Sequence, residues 1–202
     1  MKIGFIGPSD GDVGLVREAI EFLVGDADVS YAIYLGEDDS IDRAVTGWAE
    51  EIMQGSASAE AFLDRVVALV RDGEAGEIRQ LLAQDRDVRR LFAVRKLPPP
   101  PARVIEMIDD RIVTVVYDKA VLDEEDIANA SLLVYGKSDK PLLKRFGPRY
   151  FFTPGPLKKK AVAIIEVEEE GQVMVGLFDP SGAPLWREAL QGRLTGRVMI
   201  TP

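Results

Sequence analysis

The stretch LLVYGKSDKP (Leu132–Pro141) decides how the rest of the chain is read. Four apolar residues lead into Gly136, the pattern of a buried strand that runs out into a tight turn. Lys137 and Asp139 then stand one residue apart, and Lys140-Pro141 closes the segment. Loops at the carboxyl ends of strands are where α/β proteins place their ligands and chemistry. The question is what Lys137 and Asp139 meet there: a ligand, a metal ion or each other.

Upstream, KIGFI (Lys2–Ile6) is a short apolar strand followed by a Gly/Pro/Ser/Asp turn. Leu15, Val16, Ala19, Ile20 and Leu23 then mark one face of a helix for which Asp12 is the N-cap. SYAIYL (Ser30–Leu35) is a second strand, so the chain opens with a βαβ unit and a parallel sheet. From Ile41 to Gln84 the spacing is helical, and RLFAVR (Arg90–Arg95) is a third strand candidate. It ends in KLPPPP, whose prolines set a stiff, extended connector. The second half is strand-rich. ARVIEMI, RIVTVVY, SLLVYG, RYFFT, AVAIIEV and QVMVGLF are separated by turn residues, and DEEDIANA (Asp123–Ala130) alone among them is helical. A helix-rich half followed by a strand-rich half, with no break in composition, predicts one α/β domain with two packed sheets.

Composition narrows the chemistry. At 202 residues the chain is long enough for one well-buried domain. A formal net charge of -9 argues against nucleic acid or an anionic membrane as partner, because both are polyanions. No segment approaches the roughly 20 apolar residues of a membrane span, so no membrane insertion is expected and the expected location is cytoplasmic. There is no cysteine, which excludes disulfides and thiol chemistry. There is no histidine either, and Asn129 is the single asparagine. Ser-His-Asp catalysis and histidine-ligated metals are therefore impossible. Carboxylates, lysines, arginines, hydroxyls and backbone remain.

The glycines of GFIGPSDGDVG invite a phosphate-loop reading, but the spacing fails. Ser9 stands where a dinucleotide fingerprint needs Gly, and Asp12-Val13 where a Walker loop needs Gly-Lys. YLGEDDS (Tyr34–Ser40) places Glu37, Asp38 and Asp39 after a strand and a glycine. Capping of the next helix by Asp39 or Ser40 accounts for part of it, though not for Glu37 directly after Gly36.

Taken in order, MKIGFIGPSDG, YLGEDDS, FAVRKLP, TVVYD, YGKSDKP and TPGPLKKKAVAIIEV resemble the motifs of the calcineurin-like metallophosphoesterases, in the small phosphodiesterase branch that also contains the retromer subunit Vps29. Members of that branch carry MKIGVISDTHG, YLGD, VRGNCD, a His-Gly after a strand, YGHTHKP and an NPGSL loop in the same sequence. The resemblance spans nearly the whole chain and is most specific from Ile112 to Val167. It implies an α/β sandwich of two mixed β-sheets flanked by helices. Residues 1–202 would form a single phosphoesterase-like domain with a helical insertion around 58–84.

The resemblance also implies two divalent metals, and here the chain departs from it. Pro8 stands at the first-loop Asp, Asp10 at the first-loop His, Glu37 at the bridging Asp and Leu97 at the Asn. Val116 or Tyr117 takes the place of the His after the middle strand, and Lys137 and Asp139 replace the two histidines of the last motif. The turn residues Gly11, Gly36, Gly136, Pro141, Pro154 and Gly155 remain. These departures imply a catalytically inactive, metal-free and cofactor-free protein that binds protein partners as a module or scaffold subunit. Lys137 is expected to act as a built-in counter-ion for Asp10, Glu37 and Asp139, since clustered carboxylates repel unless a cation compensates them. Trp48, Leu97, the Pro98, Pro99, Pro100 and Pro101 run, and Trp186 are candidates for an exposed anchor surface. Core packing accounts for each tryptophan as well. Two other readings stay open. Asp10, Glu37, Asp38 and Asp139 could hold Mg²⁺ or Mn²⁺ in a phosphodiesterase. Alternatively, Lys137, Arg95 and Lys96 could bind an anionic small molecule without turning it over.

Overall fold

A computed structural model describes residues 1–52, 64, 66–69, 71, 73–169 and 171–191 of the chain. Two mixed β-sheets pack face to face. The first has six strands in the order β11-β10-β9-β1-β2-β3, and the second has five in the order β4-β5-β6-β8-β7. In the first sheet β1 (Lys2–Ile6), β2 (Tyr31–Tyr34) and β3 (Val94–Lys96) run parallel. Strands β9 (Val162–Val167), β10 (Val173–Phe178) and β11 (Pro184–Ala189) complete it antiparallel. In the second, β5 (Arg111–Val116), β6 (Leu132–Tyr135) and β8 (Arg149–Thr153) are parallel, with β4 (Val104–Ile108) and β7 (Leu142–Phe146) antiparallel at the edges.

Strand periodicity sorts the apolar residues into two cores. Ile3 and Phe5 of β1 point between the sheets with Val113, Val115, Leu132, Val134 and Phe152, whereas Ile6 points the other way. That second face is covered by α1 (Val13–Ile20) and α2 (Ser40–Ile52). Their buried Val16, Ala19, Ile20, Ile41 and Ala44 recur at helical spacing. Asp12 caps α1 by accepting the Leu15 N–H at 3.1 Å, as its position predicts. A π-helical segment (Glu21–Asp26) continues α1 into β2.

Three expectations need correction or delimiting. Arg90–Phe92 end a long helix, α3 (Ala75–Phe92), and do not begin a strand; only Val94–Lys96 is extended. The Ala93 N–H bonds back to Arg90 and Leu91 carbonyls, and Arg89 and Arg90 sit favourably in the last turn. The helical insertion around 58–84 falls partly outside the described residues, and its described part runs on to Phe92. Strands β7 and β11 have no counterpart in the sequence reading. A last short helix, α4 (Glu124–Asn129), carries a capping box between Asp123 and Asp126, as DEEDIANA suggested. No described helix is long and apolar enough to cross a membrane.

Candidate functional site

The loops that follow β1, β2, β6 and β8 meet at one edge of the sandwich, and they meet backbone to backbone. A side-chain carbon on Gly7 would lie 1.8 Å from the Gly155 carbonyl oxygen, and one on Gly136 would lie 2.2 Å from that of Leu35. Only glycine allows either approach. The Leu157 N–H also donates to the Pro8 carbonyl at 2.8 Å, binding the β8–β9 loop to the β1–α1 loop. The middle strand joins through Lys137, whose N–H donates to the Tyr117 carbonyl at 2.8 Å. Gly7, Gly136 and Gly155 thus hold the edge together.

Tyr34 supplies the polar centre of this edge. Its hydroxyl, fully buried, receives the Ser9 N–H at 3.1 Å, lies 2.9 Å from the Ser9 hydroxyl and donates to Asp38 at 2.9 Å. Asp38 also accepts the Ser40 N–H at 2.9 Å, so this carboxylate, and neither Asp39 nor Ser40, caps the start of α2. Burial pushes the Asp38 carboxyl up, but the donors of Ser40, Tyr34 and the Gly11 backbone outweigh it and hold the group below its ordinary range. Burial raises the Tyr34 hydroxyl.

The structure redistributes the counter-ion role assigned to Lys137. The Lys137 Nζ pairs with Asp118 at 2.6 Å, and Glu37 acts on it only as a weaker, more distant charge. The hydrogen bond to Asp118 raises the Lys137 ammonium, and reciprocally holds the Asp118 carboxyl low with help from the Ala120 N–H. Asp10 is neutralised by Lys158 at 2.9 Å instead, with Asp139 adding a smaller influence on the same ammonium. Chain geometry explains the exchange. Asp118 lies two residues past the end of β5, the neighbour of β6 in the sheet, as Lys137 lies two past the end of β6, so the two leave adjacent strand ends. Lys158 follows the loop that the Gly7–Gly155 contact presses against Asp10's own loop.

The remaining candidates divide. Trp48 is in the core under α2, at helical spacing from Ile41 and Ala44, with the Arg17 guanidinium 6.0 Å from its ring centre. Leu97 is buried between the sheets, and Trp186 lies half-buried, edge-on to Phe152 at 6.2 Å. The proposed anchor surface is therefore not a surface at Trp48 or Leu97. Pro98 and Pro99, by contrast, line an open cleft of about 340 Å³ with Gly36, Glu37, Lys96, Leu97, Pro100 and Tyr117. The three proposed anion-binding cations are each engaged: Lys137 with Asp118, Lys96 with Asp42 at 2.6 Å and Arg95 with Glu106 at 3.4 Å. Among the described residues no group of three or more carboxylates is placed to hold a metal, Asp10, Glu37, Asp38 and Asp139 included.

The residues present do not fit the two-metal centre that the resemblance implies. Pro8 offers no side-chain donor, Leu97 is an apolar core residue, Val116 is buried, and Lys137 and Lys158 place ammoniums at the rim. Sequence reasoning missed Tyr34, Asp42, Asp118 and Lys158. Asp118 and Lys158 carried the same signal as Glu37, a charged residue just past a strand end or its turn. Tyr34 had one too: a carbon on Gly36 would fall 2.5 Å from the Tyr34 ring, so this glycine makes room for it.

No protein-family model and no curated protein sequence matches the chain. Solved structures do. Vps29 from Entamoeba histolytica, in a complex with Zn²⁺, shares 11% identity at a TM-score of 0.52, over 95% of this chain and 100% of that one. Vacuolar Protein Sorting 29 from Cryptosporidium parvum shares 14% at a TM-score of 0.51, over 88% and 90%. With two mixed sheets flanked by helices in the same arrangement, the chain has the calcineurin-like metallophosphoesterase fold in its Vps29-like form.

Proposed function

We propose that this protein is a non-hydrolytic member of the phosphoesterase-like fold that works as a protein-binding module or scaffold subunit. The observation that carries the reading is the pairing of Lys137 with Asp118 and of Lys158 with Asp10 at the rim. Two-metal hydrolysis needs several neutral or anionic ligands in fixed geometry to clamp the attacking and leaving oxygens. An ammonium already bonded to a carboxylate offers no lone pair and repels a cation. The chain has no histidine, the commonest general base, and Asp38 is committed to Tyr34 and Ser40. What the chain keeps is a rigid sandwich whose loops are locked backbone to backbone, a scaffold suited to presenting a fixed surface.

Calorimetry with Mn²⁺, run beside a hydrolysis assay on bis(p-nitrophenyl) phosphate, tests this reading. The expected result is no saturable binding and no metal-dependent cleavage. Micromolar binding abolished by Asp10→Ala or Glu37→Ala, with turnover that follows it, would replace the proposal with a carboxylate-ligated phosphodiesterase.

A further inference from the structure

The cleft beside Glu37 has a charge and a lining that select an occupant, and resting on the binding-module reading we infer that it receives an arginine side chain from a protein partner. Its volume of about 340 Å³ is that of a small ligand pocket, enough for one long side chain. One wall is Pro98, Pro99 and Pro100, which are not the extended connector expected but enter a turn closed by the Ala102 N–H to the Pro99 carbonyl at 3.1 Å; they offer apolar surface and no N–H donors. Tyr117 supplies a phenol ring, and buried Leu97 contributes to the floor. Such a lining suits the methylene stem of a long side chain and the flat face of a guanidinium.

Charge then picks the sign. One cation, Lys96, lines the cleft and is committed to Asp42 at 2.6 Å; Lys137, whose N–H bonds to the carbonyl of the lining residue Tyr117, is committed to Asp118 at 2.6 Å. Glu37 lines the cleft and is exposed, and no described cation lies within ion-pairing distance of it. The cleft therefore presents one uncompensated carboxylate at the end of an apolar trough. An anion would meet Glu37 and find no free cation. A bare divalent metal would find a single carboxylate, too few ligands to replace its water. A cationic side chain satisfies both features at once. Arginine is favoured over lysine because its guanidinium is more weakly hydrated, stacks on aromatic rings and can pair with a carboxylate through two parallel bonds.

Titration of ¹⁵N-labelled protein with N-acetyl-arginine amide, followed by amide chemical shifts, is the test. Shifts are expected to saturate and to centre on Gly36, Glu37, Leu97 and Tyr117, with N-acetyl-norleucine amide producing much weaker binding. Glu37→Gln, at an exposed position that the fold does not need, should weaken the arginine probe about tenfold. Asp42→Asn should weaken it as well, because it frees the Lys96 ammonium at the cleft mouth. Equal binding of the norleucine probe, an unchanged affinity in Glu37→Gln, or shifts mapping to another face would each overturn the inference. Failure of this kind, with metal-dependent cleavage still absent, removes the arginine pocket and leaves the non-catalytic reading standing. Cleavage that requires Mn²⁺ removes that reading first.

Discussion

Loops from the same strand ends are joined in two different ways. The Ser9–Tyr34–Asp38 junction is buried at Ser9 and Tyr34 and half-buried at Asp38, with each polar group matched by a hydrogen-bond partner. The Lys137–Asp118 and Lys158–Asp10 junctions are exposed pairs of long, flexible side chains. Buried polar groups are costly when a partner is lost, whereas exposed ion pairs are screened by water and salt and add little. The first junction therefore holds the loops in place, and the second sets the charge of the surface they present. Shape and chemistry at this edge are controlled by different residues, which is how a fold can keep its turns while its ligand positions change.

The comparison can be broken most forcefully at the backbone contact beneath both junctions. Gly7→Ala must drive a carbon into the Gly155 carbonyl, and we expect a loss of about 3 kcal/mol or more in chemical denaturation. A near-wild-type midpoint would mean that the loops are not locked as described. Tyr34→Phe removes one hydroxyl, leaving buried Ser9 without its partner and half-buried Asp38 without one of its donors. Unfolding measurements should show a cost of about 1–3 kcal/mol.

Acid sharpens the contrast further. Because the folded protein holds the Asp38 carboxyl below its ordinary value, the group contributes stability above the unfolded value of about 3.9, and that contribution fades as pH falls through the lower folded value. The stability gap between wild type and Asp38→Asn should therefore be widest near about pH 6 and close on acidification below about pH 3. A gap independent of pH would show that Asp38 is not held as its ionised form. The smallest effect is expected at the surface. Lys137→Met or Lys158→Met should leave the thermal midpoint close to wild type, with little response to added salt. A large drop in either would erase the distinction between a holding junction and a charging one.

Much of the fold was legible. Short apolar runs such as KIGFI and LLVY, a capped amphipathic helix between strands, and glycines at strand ends each describe local conformation, and local conformation is what a sequence pattern encodes. The failures have physical causes. Arg90–Phe92 read as a strand because the apolar run Leu91–Val94 leads straight into the real strand at Val94–Lys96, yet the preceding helix, with a suitable basic last turn, absorbs them. Strands β7 and β11 lie at sheet edges, where one side of LLKRF and PLWREA faces solvent and carries charge, so no clean alternation marks them.

The site was legible in kind and not in pairing. By itself the sequence determined that no histidine or thiol chemistry is possible, that charged residues follow the strand ends, and that the turns there are tight, because residue identity and local spacing settle those matters. Which carboxylate meets which lysine was decided only by tertiary structure. Lys137 and Asp118 are 19 positions apart, and Lys158 and Asp10 are 148 apart. An ion pair is governed by distance in space, and sheet order and loop contact, not chain order, bring those ends within reach.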